Sequence, residues 1–293
     1  MAKAERRRAE SLETRYERYK DILKNLTIMN DVFMRNVLKR RECTEYVLQV
    51  IMKEKELKII DQVIQKDYKN LQGRSAILDC VARDSEGKQM NVEVQQGNEG
   101  ASPKRARYHS GLMDMNILNP GQDFEELPES YVIFITKEDV LGDGEAIYHI
   151  NRTIEESGKK FPDETHIIYV NSKRHDDTEL GRLMHDLHCT NAKDMYSKVL
   201  AERVYELKET QKGVDFMCQE LEQIYSEGME IGEKRGERRG EKRGEKRGME
   251  KKAKKTAISL AGMGMPLEKI AEALETSADT VKSWIEAGQK ESV

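Results

Sequence analysis

The chain has 293 residues, 35% of them charged and only 37% hydrophobic. That length holds one medium domain with an appendage, but the composition is too polar for the whole chain to form one compact core. A net charge of −4 excludes a globally basic nucleic-acid binder, so any basic surface must be local. In chain order, residues 1–20 are rich in Arg and Glu and read as a frayed helix or arm. Its Arg6-Arg7-Arg8 reads as a solvated end or a nucleic-acid contact. Residues 31–52 carry Val32, Phe33, Val37, Leu38, Val47, Leu48, Val50 and Ile51 near helical spacing. One amphipathic helix is expected there, with Asn30 or Asp31 as N-cap. Leu57–Val63 reads as a first strand, and Ser75–Arg83 and Lys88–Gln95 as the next two. Gly97–Pro103 is a loop, followed by a helix over Pro103–Leu118 with Pro near its first turn. The start of that helix carries Lys104, Arg105 and Arg107 beside free backbone N–H groups, which suits a phosphate. A solvated basic face is the competing explanation.

Tyr131–Thr136 is almost wholly apolar and should be a central strand covered on both faces. Tyr148–Ile154 reads as an edge strand and Thr165–Asn171 as another buried one. Asp176–His188 is a helix capped by Asp176 or Asp177. His175, His185 and His188 lie close in sequence, without acid or Cys spacing that makes a zinc set. Residues 192–227 read as one long helix. Then Gly228, Gly232, Gly236, Gly240, Gly244 and Gly248 recur every four residues, separated mostly by Glu-Lys-Arg. In a helix each Glu is one turn from a Lys or Arg, contributing roughly 0.2–0.5 kcal/mol per pair, while each Gly costs about 1 kcal/mol against Ala. From Glu233 to Lys252 ten basic residues face five acidic ones. A solvated helical spacer is expected, with non-specific phosphate contact and close approach of two such helices as alternatives. Ile258, Leu260, Leu267, Ile270, Leu274, Val281, Trp284 and Ile285 suit a small core of three helices with Ser277 as a cap. That order resembles a helix-turn-helix.

The stretch Ser75–Gln95 carries the chemistry. Gly87 suits the left-handed last position of a three-residue loop, Ser85-Glu86-Gly87, which pairs Asp84 with Lys88. Counted outward, Asp79 falls opposite Glu93 and Ile77 opposite Gln95, with Cβ atoms roughly 5 Å apart. Two opposed carboxylates repel, and Asp79 shares a face with Ile77 and Val81. A divalent cation between them relieves both penalties, and oxygen ligands suit Mg²⁺ or Mn²⁺. An exposed hairpin with a polar wet face is the alternative.

Asp79 and then, after thirteen intervening residues, Glu93-Val94-Gln95 resemble the D…ExK/ExQ core of the PD-(D/E)XK nucleases. Asn30-Asp-Val-Phe-Met-Arg35, Gly73-Arg-Ser-Ala-Ile-Leu-Asp79 and Lys104-Arg-Ala-Arg-Tyr108 narrow the resemblance to the PD-(D/E)XK family transposases, the recombination-promoting nucleases. Leu78 stands in place of the name-giving Pro, and Gln95 in place of the usual Lys. The resemblance implies a restriction-endonuclease-like α/β core and metal-dependent hydrolysis of DNA. It implies Asp79, Glu93 and the Val94 carbonyl as metal ligands, with Asp31 on the first helix within reach. It also implies a role for Gln95 in the chemistry, and phosphate contact by Lys104, Arg105 and Tyr108.

The expected organisation is an arm over 1–24, a nuclease-like domain over 25–212, a helical stalk over 213–252 and a helical unit over 253–293. The expected partner is DNA, with a homo-oligomer through stalk and tail. A silent DNA-binding accessory and an oligomerising interaction protein are the alternatives. Cys43, Cys80, Cys189 and Cys218 stand far apart and read as reduced thiols of a cytoplasmic protein. No apolar run is long enough for a membrane, and the charged N-terminus has no apolar stretch of a secretory signal behind it.

Overall fold

The computed structural model describes residues 12–68 and 74–290; Arg6-Arg7-Arg8 lies outside them. The chain divides into two compact units, Met1–Glu222 and Gln223–Val293. In the first unit the helices are α1 (Leu12–Asn25), α2 (Asp31–Leu38), α3 (Arg41–Met52), α4 (Pro103–Met115), α5 (Glu179–His188), α6 (Lys198–Glu209) and the first turns of α7 (Gln211–Gly262). Its strands are β1 (Ile59–Tyr68), β2 (Ala76–Asp84), β3 (Gln89–Gln95), β4 (Ser130–Thr136), β5 (Ile147–Ile150) and β6 (Thr165–Asn171). They form one sheet in the order β1-β2-β3-β4-β6-β5. β1, β2 and β3 are antiparallel neighbours, β3, β4 and β6 run parallel, and β5 closes the edge antiparallel to β6.

Two cores flank the sheet. One packs Ile133, Ile135, Ile168 and Val170 against α2, α3, α5 and α6 through Phe33, Leu48, Leu183 and Val204. The other packs Val132, Phe134 and Tyr169 against Ala106, Leu112 and Met113 of α4. The alternation within β4 places successive residues on opposite faces, so its continuous apolar run is covered on both sides, as expected.

Two of the expected helices are broken. Residues 31–52 form two helices, α2 and α3. The carbonyls freed at the break are recaptured from a distance: the Gln62 amide donates to Leu38 O and Lys39 O, and the Thr44 hydroxyl donates to Leu38 O. The expected helix over 192–227 is interrupted at Thr210, which is extended. Its hydroxyl donates to Glu206 O and accepts from Gly213 N–H, closing α6 and opening α7. Gly213 is required there, because a Cβ would stand 1.8 Å from Glu206 O. The N-terminal helix is docked rather than frayed: Tyr19 and Leu23 are buried, and Arg15 and Tyr19 bond the Glu222 carboxylate. Helix α5 is capped by Thr178, whose hydroxyl accepts from Gly181 N–H, while Asp176 accepts from Thr178 N–H.

In the second unit α7 stays helical through the glycine repeat, with its side chains exposed. Its last turns, α8 (Leu267–Ala273) and α9 (Ala278–Lys290) enclose Ala257, Ile270, Ala271 and Val281, with Trp284 and Ile285 packed on them. Ser277 accepts from Thr280 N–H as the cap of α9. Ile258 is 37% exposed and stays outside that core. Among the described residues no helix is long and apolar enough to cross a membrane.

Candidate active site

The β2–β3 hairpin has the expected loop. Asp84 N–H donates to Lys88 O, and Gly87 has φ +93°. The register then runs Arg83↔Gln89, Ala82↔Met90, Val81↔Asn91 and Cys80↔Val92, and stops. The expected pairing of Ile77 with Gln95 is absent. Ile77 pairs with Asp67 of β1, and Gln95 pairs with Thr136 of β4. The two strands therefore diverge just before the carboxylates, each following its outer neighbour.

Two backbone features accompany the divergence. Leu78 packs on the α4 face, while Cys80, two residues on, packs on the opposite face, so β2 turns about its axis at Asp79. In β1, Gln65 lies between the partners of Cys80 and Leu78 and has φ +55°. A non-glycine residue in that region costs roughly 1–3 kcal/mol and persists only where its surroundings enforce it.

The carboxylates fill the gap and satisfy the backbone left there. Asp79 N–H donates to Glu93 Oε1 at 3.2 Å, and Val94 N–H donates to Asp79 Oδ2 at 3.3 Å. N–H and C=O of one strand residue point to the same side, so the Val94 carbonyl faces the gap too. Asn91, Glu93 and Gln95 share one face by strand alternation. The Asn91 amide donates to Glu93 Oε1 at 3.0 Å. Glu93 is fully buried, and its Oε2 has no hydrogen-bond partner.

Helix α4 closes the gap from the side. Its cap is Ser102, which accepts from Arg105 N–H at 3.3 Å. Arg105 Nη2 lies 3.5 Å from Glu93 Oε2, and its Nε donates to His109 Nε2 at 3.2 Å. His109 is 2% exposed and lies by the Phe134 ring. Since Nε2 accepts, the neutral ring carries its proton on Nδ1, which sits 3.5 Å from Glu93 Oε1. Burial, then the Arg105 charge, lowers His109 to about 4. Burial raises both carboxyls above the ordinary range. The charge of Asp79 adds to this for Glu93, and that of Asp31 for Asp79, while Arg105 opposes it at both.

The remaining expected site residues are placed as follows. Asp31 is 61% exposed at the start of α2, accepts from Arg35 at 3.1 Å, and acts on Asp79 only through its charge. It is not a cap. The cap position belongs to Asn30, whose side chain accepts from Thr27 instead. Gln95 packs on the turn after β3, where a Cβ on Gly100 would stand 2.0 Å from Gln95 Oε1. Lys104 is exposed on the first turn of α4. The Tyr108 hydroxyl donates to the Arg74 carbonyl, anchoring the entry to β2. Asn91 and His109 do not stand out in the sequence. Each carries a signal all the same: Asn91 is two residues from Glu93 on a strand, and His109 is four from Arg105 on a helix.

A mixed sheet with helices on both faces, its β2–β3 pair opening around the buried Glu93 and the half-buried Asp79, defines a restriction-endonuclease-like fold. The chain belongs to the PD-(D/E)XK nuclease family transposases, a family that matches residues 17–231. No curated protein and no solved structure matches it. Membership points to a nuclease or transposase role with DNA as the substrate, and PD-(D/E)XK nucleases generally use divalent metals.

Proposed function

We propose that this protein is a metal-dependent DNA endonuclease acting in recombination or DNA mobility in the cytoplasm. The observation that carries the reading is the fully buried Glu93 carboxylate with an orphaned Oε2, facing a second carboxylate across a gap in the sheet. A fold gains nothing by burying two such groups together unless a cation or proton joins them. The donor set fits Mg²⁺ or Mn²⁺, because Asp79, Glu93 and the Val94 carbonyl offer oxygen alone. Bound there, the cation supplies charge against the phosphate and a more acidic water.

The chain's own residues do the rest. Asn91 orients the Glu93 carboxylate by a hydrogen bond, and the His109 Nδ1–H stands 3.5 Å from it. Arg105 places a permanent positive charge beside the pair, where the superfamily's Lys is missing and Gln95 is neutral. With Lys104 on the same helix turn, it offers the scissile phosphate a cationic wall. Gln95 retains an amide that can orient a water by hydrogen bonding. Asp31 modulates the pair through its charge and is the reserve ligand. On this reading Tyr108 sets the rim of the site, and stalk and tail serve self-association.

A second reading is a catalytically silent DNA-binding accessory. It draws on Gln95 and on the Arg105–Glu93 contact, which stands in for a cation. Plasmid cleavage with Mg²⁺, Mn²⁺ and EDTA decides between them. Nicking that depends on the cation supports the endonuclease. Salt-sensitive DNA retention without any nicking supports the accessory.

A further inference from the structure

Three of the chain's six histidines, His175, His185 and His188, gather at the C-terminal end of α5. The His175 ring centroid lies 6.0 Å from that of His185 and 5.3 Å from that of His188. His175 and His188 are engaged by Ser172, through its carbonyl at 3.0 Å and its hydroxyl at 2.9 Å. His185 faces the other way, toward Asp186 and Cys189. Among the described residues, His185, Asp186 and Cys189 form a group whose donor atoms all lie within 4.8 Å of one another. We propose that His185, Asp186 and Cys189 bind a thiophilic divalent cation of the Zn²⁺ class, at a site separate from the Asp79–Glu93 pair.

The geometry carries the proposal. His185 Nδ1 lies 3.3 Å from Asp186 Oδ1 and 3.5 Å from Cys189 Sγ. Bond lengths of about 2.0–2.3 Å around a tetrahedral Zn²⁺ give ligand separations of roughly 3.3 Å for N and O and 3.6 Å for N and S. Without a metal, the Cys189 thiol donates to Asp194 O at 3.7 Å and His185 Nδ1–H is left to Asp186. A cation would displace the thiol proton to solvent and join the three donor atoms at these same separations. Imidazole and thiolate select Zn²⁺ over Mg²⁺.

The ligands are also held in place. His185 and Cys189 are four residues apart, on one face where α5 ends. Asp186 is fully buried, and its two oxygens accept from Tyr196 N–H and Ser197 N–H, each at 2.8 Å. Such outer hydrogen bonds fix a ligating carboxylate. The His185 side chain is 36% exposed, which leaves an entry path and a fourth position for water. Cys189, which reads in the sequence as one of four distant thiols, stands one helical turn from His185.

The test uses the full chain, stripped of metal and titrated with Co²⁺ as a spectroscopic probe, then with Zn²⁺ in competition. The expected result is a thiolate-to-Co²⁺ charge-transfer band in the wild type, displaced by Zn²⁺. Asp79→Ala should retain the band. Cys189→Ser should abolish it, and Cys189→Ser and His185→Gln should each weaken Zn²⁺ binding by roughly tenfold or more. Thermal melts establish that each variant is folded, and Cys189→Ser, nearly isosteric, guards against a folding artefact. Absence of the band in wild type, its persistence in Cys189→Ser, or equal Zn²⁺ retention by wild type and both variants would overturn the site. Loss of the band in folded Asp79→Ala would show that the thiolate site is not separate from the carboxylate pair and overturn the proposal as well.

Discussion

The gap between β2 and β3 and the repeat of α7 are both built from charges, and they treat them in opposite ways. In the gap, Glu93 is withdrawn from water, and its oxygens meet Asp79 N–H, Asn91, His109 and Arg105. In the repeat, Glu, Lys and Arg stand in water, and pairs such as Lys234–Glu230 join residues one turn apart. Burial turns a carboxylate into a group with a strong appetite for a cation or a proton, while exposure leaves it a solvating group worth a few tenths of a kcal/mol. Substitutions that look alike on paper should therefore act with different size and even opposite sign in the two regions.

The largest contrast is in the carboxylates. Asp79→Ala or Glu93→Ala should abolish cleavage while the domain stays folded, whereas Glu237→Ala in the repeat should leave cleavage unchanged. Single-turnover assays with melts as controls measure this, and full activity in either core variant would sink the assignment. Next comes Gln95. Gln95→Ala should slow cleavage by roughly ten- to a thousandfold, the range for one preorganised polar group, and Gln95→Lys should leave it similar or faster. Equal rates for wild type and Gln95→Ala would remove this side chain from the chemistry.

Glycine gives the clearest reversal of sign. Gly213→Ala drives a Cβ into Glu206 O and should destabilise the first unit by about 1–3 kcal/mol. Gly240→Ala meets no atom within 4 Å and should stabilise the local helix by about 1 kcal/mol. Thermal melts and hydrogen exchange compare the two, and equal effects would contradict the difference in packing.

The two regions differ in pH dependence as well. Asp79 and Glu93 have folded values raised above their unfolded ones. Their contribution to stability is therefore present at acid pH and is lost as pH rises through the raised values. Metal-free wild type should lose stability relative to Glu93→Gln between about pH 4 and pH 8, and Mg²⁺ should restore it by replacing the proton. Parallel curves for the two proteins would show that the buried carboxyl is not raised.

Some of this was legible in the residues. Gly87 fixes the loop, the loop fixes the register, and the register runs as far as Cys80 opposite Val92, one step short of Asp79 and Glu93. The double coverage of β4 follows from its unbroken apolar run, and Ser277 marks the start of α9. Turns, caps and strand periodicity rest on interactions between near neighbours in the chain, and such interactions are written in local sequence. The divergence of β2 from β3 after Cys80 and Val92 was not legible, because it depends on β1 and β4 drawing the strands apart. Nor was the break at Lys39-Arg40, where the Gln62 side chain offers the backbone another partner. The same holds for His109 against Glu93. Only the tertiary structure decided these, since a buried polar group is assigned its partners by whatever the folded chain brings to it.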